Sequence, residues 1–394
     1  MGLKYRRTLY ACYLGYITQA INNNLAPLLF LIFQREFALT VGQIGFLVTY
    51  NFVMQILVDL LAAKFADRIG YKNCMLISHV FSALGLVCLG VLPGLMDPYT
   101  GMLIAVTVYA GGGGFLEALV SPIVEALPIQ GKSGAMSLLH SFYCWGHALV
   151  VLLSTVFFQV VGTGSWRLLC MIWALVPLGN TFLFAASSVP TPATGEKSGS
   201  LRGLFSSKLF WVLAVMMLCS GASEQAMAQW ASYFAEQGLQ VSKTLGDLLG
   251  PCLFAVLMGL SRVFYAAKSK TISLEKYIVW SSVLCVVSFL TAVVAPWPIL
   301  SLVGCAMCGL SVGIMWPGVF SLSTQHCPQA STAMFALLAL AGDLGCGMGP
   351  SVVSTVSDAV GQGLKPGLLA AIVFPVVLII GVGLLARFKN KRGA

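Results

Sequence analysis

The stretch Ala63-Lys64-Phe65-Ala66-Asp67-Arg68-Ile69-Gly70-Tyr71-Lys72 is a short charged turn between two long apolar segments. These segments lie at about 43–66 and 74–95, and each can cross a bilayer as a helix, which takes about 20 apolar residues. Ten further stretches of this kind fill the chain, and only 9% of its residues are charged. Soluble domains carry about 25% charged residues. The composition therefore predicts a protein that resides in a membrane.

Twelve spans are predicted. They must be helices, because lipid offers backbone groups no hydrogen-bond partner and the stretches are too long for barrel strands. The predicted fold class is an all-α integral membrane protein with twelve transmembrane helices. The spans, numbered one to twelve, are placed at 8–33, 43–66, 74–95, 101–126, 134–161, 166–188, 208–235, 244–267, 276–295, 298–323, 330–356 and 366–387.

Basic residues predict the orientation. With the N-terminus in the cytoplasm, 18 of the 22 Lys and Arg residues fall on the inside, and the exceptions are Arg35, Arg167, Lys243 and Lys365. Such a bias is typical of cytoplasmic segments. It predicts a multi-pass protein of the cytoplasmic (inner) membrane with both termini cytoplasmic. It also accounts for the net charge of +9 without a nucleic-acid partner.

A polar stretch rich in Pro, Gly and charge separates six spans from six. We interpret it as a cytoplasmic linker at 189–207, between an N-terminal six-helix bundle at 1–188 and a C-terminal one at 208–394. Two bundles that rock about a central site are typical of secondary transporters. A static membrane anchor is the alternative, and the many polar residues at mid-membrane depth disfavour it.

The charged turn resembles a loop of the major facilitator superfamily, Gly-x-x-x-Asp-Arg-x-Gly-x-Lys, with Ala63 in place of the first Gly. It lies between spans two and three, as it does in that family. A weaker echo, Gly259 with Ser261-Arg262, closes span eight. The resemblance implies the major facilitator fold, with transport by alternating access. It also implies a gate loop made of Asp67, Arg68, Gly70 and Lys72, with Arg262 at the corresponding place in the second half.

Four segments resemble the fucose permease branch of sugar–proton symporters. Span four, Phe115-Leu116-Glu117-Ala118-Leu119-Val120-Ser121-Pro122, is similar to Leu-Glu-x-x-x-Asn-Pro. The others are Asn23-Asn24-Leu25 in span one, His140-Ser141-Phe142-Tyr143 in span five, and Gly221, Glu224 and Trp230 in span seven.

This chain departs from the branch pattern at several pocket positions. Pro27 stands where the branch has an acidic residue, His140 replaces a glutamine, and Tyr143 replaces an asparagine. The resemblance thus implies proton-coupled transport of a small polar solute such as a sugar, but not fucose itself.

Three carboxyls near the centres of their spans are candidates for proton coupling: Glu117, Glu224 and Asp343. A charge at this depth costs at least about 2.5–3.5 kcal/mol. No Lys or Arg is expected at mid-depth to neutralise them, so each would be protonated until water reaches it. The alternative is a permanently protonated carboxyl that only forms hydrogen bonds between neighbouring helices. His140, on a stripe with Tyr143 and His147, could relay a proton to Glu117.

Polar and aromatic side chains in the spans are candidates for solute binding. Amides can bind hydroxyl groups or tie helices together. Aromatic faces can stack on a sugar ring, or belong to the belt at the membrane interface. The glycine run Gly111–Gly114 would let helices approach closely. The candidates are Gln19, Asn23, Asn24, Asn51, Gln55, Tyr143, Trp230 and Trp316.

The resulting hypothesis is a secondary active transporter for proton-coupled uptake, functional as a monomer, with a small solute and membrane lipid as its partners. Proton-driven efflux of amphipathic compounds is the alternative, since 15 Met residues could line an adaptable pocket. The sequence shows neither the residue spacings of a metal site nor a nucleotide-binding motif, so we predict no metal and no cofactor. Protons are the predicted coupling ion. No nucleophile–base pair stands out in the sequence, so we do not predict an enzyme.

Overall fold

The computed structural model describes residues 3–128, 132–190, 204–268, 271–326, 332–361 and 363–392. Most of the predicted linker, at 191–203, lies outside these ranges. Regular structure among the described residues is helical throughout, which confirms the predicted fold class. The coordinates divide into two compact units, Met1–Thr194 and Gly195–Ala394, and each is described by itself.

The helices follow the twelve predicted spans closely. Those of the first unit are Leu3–Asn24 with Phe30–Phe37 (span one), Val41–Ile69, Tyr71–Val91, Pro98–Ala126, Lys132–Val161 and Trp166–Ala185. Those of the second unit are Lys208–Ala228 with Ala231–Tyr233 (span seven), Lys243–Asp247 with Leu253–Lys268, Leu274–Val294, Pro298–Val312 with Met315–His326, Thr332–Val360, and Lys365–Ala370 with Val373–Arg392.

Eleven helices among the described residues are long and apolar enough to cross a membrane, and span one is not among the eleven. Its helix begins with basic residues and ends in the run Asn22-Asn23-Asn24. A short 3-10 turn, Ala26–Leu29, then interrupts it at Pro27. Span one is therefore the most polar of the twelve, although Asn22, Asn23 and Asn24 are all buried.

The two units repeat one packing pattern. In the first unit, span one packs on spans five and six, span three on spans four and six, and span two on span four. The second unit shows the same pairs six spans later: seven with eleven and twelve, nine with ten and twelve, and eight with ten. Internal repeats of this kind are a hallmark of transporter folds.

Span ten breaks at a position that its proline determines. The helix Pro298–Val312 ends just before Gly313, and the next helix begins at Met315. Pro317 has no N–H to donate to the carbonyl of Gly313, four residues earlier. The break therefore falls one turn before Pro317, and the Gly313 carbonyl becomes available to another donor.

Asp97 caps the start of span four. Its Oδ2 accepts hydrogen bonds from the Thr100 backbone N–H at 2.9 Å and from the Thr100 hydroxyl at 2.8 Å. The backbone N–H first, and then the hydroxyl, lower the pKa of this carboxyl below its usual value of 3.8. Because the pKa of Asp97 is lower in the folded than in the unfolded protein, the ionised cap stabilises the folded protein fully at pH values above the unfolded-state pKa. This stabilisation is lost as the pH falls through the folded-state pKa.

We expect Asp97→Ala to lower the unfolding temperature of the detergent-purified protein at pH 7. The difference from the wild type should shrink as the pH falls through the lowered pKa. Asp97→Asn is the matched control, because it retains an acceptor for the Thr100 N–H but has no charge to titrate. Equal melting of the wild type and Asp97→Ala at pH 7 would contradict a stabilising cap.

Candidate functional site

Four buried amides of spans one and two form a hydrogen-bonded group that we name the amide cluster: Gln19, Asn23, Asn51 and Gln55. Gln19 Nε2 donates to Gln55 Oε1 at 2.9 Å, and Gln55 Nε2 donates to Asn23 Oδ1 at 2.8 Å. Asn51 Nδ2 also reaches Asn23 Oδ1, at 3.3 Å. The sequence-predicted amides of these two spans are thus brought together.

Glu117 of span four stands at one end of the amide cluster. Gln19 Nε2 lies 3.4 Å from Glu117 Oε2, so a single side chain connects the carboxyl to the amides. Gly113, one turn earlier in span four, makes room for this arrangement. A Cβ atom there would lie 3.0 Å from Gln19 Oε1 and 3.2 Å from Gln55 Cδ. The glycine run therefore allows the close helix approach that the sequence predicted.

Two acceptor atoms of the amide cluster remain unused. Gln19 Oε1 and Asn51 Oδ1 are buried and have no hydrogen-bond partner among the residues that the structure describes. A buried polar atom without a partner is destabilising by about 1–3 kcal/mol. Most such atoms in proteins are paired, and the exceptions call for a functional or structural reason. A solute hydroxyl that donates a hydrogen bond would satisfy either oxygen.

Span one also connects spans four and five. The Tyr16 hydroxyl lies 3.1 Å from Ser121 Oγ of span four, and its ring meets the His140 ring edge-on, with the centroids 5.3 Å apart. Asn24 Nδ2 donates to the Tyr143 hydroxyl at 3.4 Å. Tyr16 thus provides a polar connection from His140 toward the face of span four that carries Glu117.

The predicted stripe of span five is not uniform in its exposure. His140 is exposed and Tyr143 is half-buried, whereas His147 is only 2% exposed. Positions seven apart differ by only about 20° around a helix, so His140 and His147 share a face and differ in their depth along span five, by about 10 Å. His140 is therefore the accessible histidine of the pair, and His147 lies in the interior of the helix bundle.

Within the first unit, the gate loop stabilises the end of span six. Gly70 has φ +87°, in the left-handed region that favours glycine. Lys72 Nζ donates to the Ala185 carbonyl at 2.6 Å and to the Ser187 carbonyl at 3.0 Å. A cation at a helix C-terminus is stabilised by the helix dipole. Asp67 and Arg68 are exposed at the end of span two.

Sequence reasoning missed a buried pair in the first unit, His79 and Asn180. His79 Nδ1 lies 2.7 Å from the Met75 carbonyl, and Asn180 Nδ2 lies 2.8 Å from His79 Nε2. Asn180 Nδ2 also donates to the Ala11 carbonyl at 3.0 Å. The pair connects spans one, three and six. The signal was available, because any polar side chain inside a span needs a partner.

The second unit corrects one prediction about its carboxyls. Arg262 Nη2 of span eight lies 3.9 Å from Glu224 Oε2, although no cation was expected at this depth. Arg262 Nε donates to the Gly313 carbonyl at 3.1 Å, which is the carbonyl that Pro317 leaves without its helical donor. Arg262 therefore joins spans seven, eight and ten. Glu224 thus has a cation beside it, contrary to that expectation.

Amides continue the polar arrangement of span seven. Gln225 Nε2 donates to Glu224 Oε1 at 3.1 Å, and Gln229 Nε2 donates to Gln225 Oε1 at 2.9 Å. Glu224 and both glutamines are buried. Glu224 thus lies beside an arginine and also accepts a hydrogen bond from an amide, and a buried ion pair needs such additional hydrogen bonds.

The two predicted tryptophans of the second unit differ in accessibility. Trp230 is fully buried, and its indole N–H donates to the Pro350 carbonyl of span eleven at 3.2 Å. It is therefore not part of a lipid-facing belt, which was one alternative. Trp316 is half-buried and packs on Gly342, where any Cβ would collide with its ring. Asp343, the next residue, is half-buried on span eleven.

A second charged group was also missed. Lys243 Nζ lies 3.1 Å from Glu236 Oε1 and 3.0 Å from Asp247 Oδ2, and Asp247 is fully buried. Ser232 donates to Asp247 as well. These residues surround the connection between spans seven and eight, where Phe234–Gly238 and Leu248–Cys252 form π-helical turns. In the sequence, Lys243 stands out only as one of the four basic residues outside the cytoplasmic segments.

Twelve helical spans in two repeated units, with polar side chains in their interiors, define a multi-pass membrane transporter. The chain belongs to the Major Facilitator Superfamily, whose family model matches residues 12–350. Within that family the chain resembles the fucose permease branch, as the four short segments indicate.

Two relatives illustrate the similarity in sequence. The chain is 23% identical to the L-fucose-proton symporter of Escherichia coli (strain K12) over 412 residues, covering 94% of this chain and 90% of the symporter. It is 22% identical to the membrane protein MosC of Rhizobium meliloti over 305 residues, covering 77% of this chain and 72% of MosC.

Solved structures show the same fold. A bacterial homolog of the human lysosomal transporter Spinster, inward-facing and unoccupied, superimposes with a TM-score of 0.81 at 15% identity, covering 99% of this chain and 98% of that one. The E. coli fucose:proton symporter superimposes with a TM-score of 0.67 at 17% identity, covering 97% and 99%.

Proposed function

We propose that this protein is a secondary active transporter that couples the uptake of a small polar solute, such as a sugar, to protons by alternating access. The observation that carries the proposal is the amide cluster with Glu117 at its end. Amide oxygens without partners suit the hydroxyl donors of a polar solute, and a carboxyl beside them can exchange a proton when water enters. The similarity to a fucose:proton symporter supports the same solute class.

In this proposal Gln19, Asn23, Asn51 and Gln55 contact the solute, with Asn24 and Tyr143 next to them. From the second unit we assign Trp316 to the solute and Asp343 to the proton path. Glu224 and Trp230 instead brace their unit, because the first is paired with Arg262 and the second is buried against span eleven. Asp67 and Arg68, with Gly70 shaping the turn, serve the gate.

The distribution of basic residues supports an orientation with both termini in the cytoplasm, and we propose the cytoplasmic (inner) membrane as the location. Each unit repeats the same packing pattern, so one chain holds the pair of bundles that alternating access requires. We therefore propose a monomer that works with protons alone, without a metal or another cofactor.

The test is solute uptake into proteoliposomes that contain the purified protein. A panel of radiolabelled sugars and other small polar solutes is offered with an inward proton gradient, without a gradient, and with a protonophore. Accumulation above the external concentration only with the gradient is the expected result. If the protein extrudes amphipathic dyes when export is assayed and takes up none of the polar solutes, its function is proton-driven efflux and the proposal is wrong.

His140 is expected to set the pH dependence of uptake. A histidine near the Tyr16–Ser121 connection titrates at about pH 6.5 when unperturbed, so its replacement removes a group that changes charge in the working range. We expect His140→Gln to retain transport with a shifted pH optimum. His140→Leu should be slower, because leucine can neither donate nor accept a hydrogen bond, whereas glutamine can do both.

The measurement for His140 is the initial uptake rate from pH 5 to pH 8 for the wild type and both variants. His147→Gln is a useful comparison, because that histidine is buried on the same helix and should affect stability more than the pH optimum. Superimposable profiles for the wild type and both His140 variants would show that His140 only packs.

A further inference from the structure

An apolar groove lies on the surface of the second unit. It lies between spans seven and twelve, has a volume of about 240 Å³, and is lined by apolar side chains and glycine only. The lining includes Trp211, Val215 and Met216 of span seven, with Ile380, Gly381 and Leu384 of span twelve. Drug-sized ligand sites occupy about 300–1,000 Å³, so this groove suits one acyl-chain segment better than a whole solute.

The walls of the groove are exposed, whereas Met216 and Gly381 at its floor are buried. Trp211 is 52% exposed and Ile380 is 56% exposed, so in a membrane they are in contact with lipid. Gly381 shapes the floor, because a Cβ at this position would lie 2.5 Å from Met216 Cγ. The two helices thus approach closely at Gly381, and the larger side chains around it form the walls.

Trp211 is held in place at the end of the groove where span seven begins. Its indole Nε1 donates to the Phe205 carbonyl at 2.8 Å, and its ring lies 6.0 Å from the Phe205 ring. The indole N–H is therefore satisfied by the chain itself. The ring presents a fixed apolar wall at this end, as aromatic side chains do near membrane interfaces.

Both helices carry a cation just beyond this end of the groove. Lys208 precedes Trp211 by three residues on span seven, and Arg387 follows Leu384 by three residues on span twelve. Both side chains are exposed. Residues three apart lie on one helix face, about 4.5 Å along the axis, and long basic side chains can extend toward a headgroup. Apolar walls that end in two positive charges complement an anionic phospholipid.

We propose that this groove binds one anionic phospholipid, with an acyl chain along the floor at Gly381 and the phosphate between Lys208 and Arg387. A lipid bound here contacts span seven, which also carries Glu224, the partner of Arg262 on span eight. The proposal is independent of the transported solute. It holds whether the protein imports or exports.

The test is native mass spectrometry of the delipidated full-length protein with phosphatidylglycerol or phosphatidylcholine of identical chains. We expect the wild type to retain one phosphatidylglycerol in preference to phosphatidylcholine. Lys208→Gln with Arg387→Gln should abolish the headgroup preference, which we expect to be about thirtyfold for two cations. Lys268→Gln with Lys276→Gln, which removes two exposed cations of the same unit, should leave the preference unchanged.

A second pair of variants tests the groove itself. Ile380→Trp fills the groove from its exposed side and should weaken phosphatidylglycerol binding by roughly tenfold or more, the factor that exclusion of two methylenes corresponds to. Val287→Trp is the control, because Val287 is 50% exposed on span nine and lines no part of the groove. This pair avoids the packing contact of Gly381, where a larger residue could prevent folding.

Three outcomes would overturn the proposal. The first is equal retention of both lipids by the wild type. The second is unchanged phosphatidylglycerol binding by Ile380→Trp with a folded melting profile. The third is a wild-type dimer that dissociates in Ile380→Trp while lipid binding is unaffected, since the groove would then bind a second copy of the chain.

Discussion

Glu117→Gln is expected to abolish proton-driven accumulation while leaving downhill solute exchange partly intact. Glutamine keeps the size of the side chain and can still accept the hydrogen bond from Gln19 Nε2, which lies 3.4 Å from the carboxyl in the wild type. It cannot ionise. The solute site should therefore persist, and the concentration ratio across the membrane should fall to about 1, because the proton gradient no longer performs work on the solute.

The measurement compares two assays on the same proteoliposomes: accumulation under an inward proton gradient, and exchange of labelled for unlabelled solute without one. Glu125→Gln is the matched control, since it makes the same chemical change at an exposed position two turns further along span four. It should accumulate solute like the wild type. Full accumulation by Glu117→Gln would remove this carboxyl from the coupling role.

The Glu224–Arg262 pair should show a strong interaction in a double-mutant cycle of stability. Removing one partner of a buried ion pair costs about 3–5 kcal/mol. Here the side chains are 10% and 19% exposed and 3.9 Å apart, so we expect about 2 kcal/mol for each single variant. The double variant Glu224→Gln with Arg262→Gln should be more stable than the sum of the single effects implies.

The two single variants should differ in their response to pH. Arg262→Gln leaves a carboxyl that can take up a proton, so its destabilisation should decrease in acid. Glu224→Gln leaves a guanidinium that stays charged at every accessible pH, so its destabilisation should persist. Thermal unfolding in detergent at pH 5 and pH 8 distinguishes them. A bracing role also predicts that the double variant still accumulates solute.

The control for this cycle is Arg167 with Glu36 in the first unit. These groups are closer, at 2.6 Å, but their side chains are 41% and 35% exposed. Exposed pairs contribute about 0–1 kcal/mol, because water screens the charges. A larger coupling energy for Arg167–Glu36 than for Glu224–Arg262 would show that separation, rather than burial, governs the strength of these pairs.

Some features of the site were predictable because they are local. The glycine of the charged turn was expected from the loop pattern, and Gly70 does adopt a positive φ. Glu117 and Ser121 are four residues apart, a spacing that puts them on one face of span four, and they meet Gln19 and Tyr16 of span one. The amides of spans one and two were named as a group because each is polar in an apolar span.

Other features depend on which helix faces meet, and spacing along the chain does not reveal this. Arg262 was assigned to a gate at the end of span eight, yet its guanidinium faces Glu224, 38 positions earlier. Trp230 was equally compatible with a belt, and only its packing against Pro350 decides that it is internal.

The sequence by itself determined that the protein resides in a membrane, its helical class and the approximate course of its spans. A bilayer requires each spanning segment to satisfy its own backbone hydrogen bonds, so length and hydropathy identify eleven of the spans, and only the polar span one needs further evidence. Only the tertiary structure decided the partners of the buried polar groups: Arg262 for Glu224, Asn180 for His79, and Lys243 for Asp247. These choices depend on the rotation and tilt of each helix. In lipid those are set by the packing of helix on helix, which hydropathy along the chain does not encode.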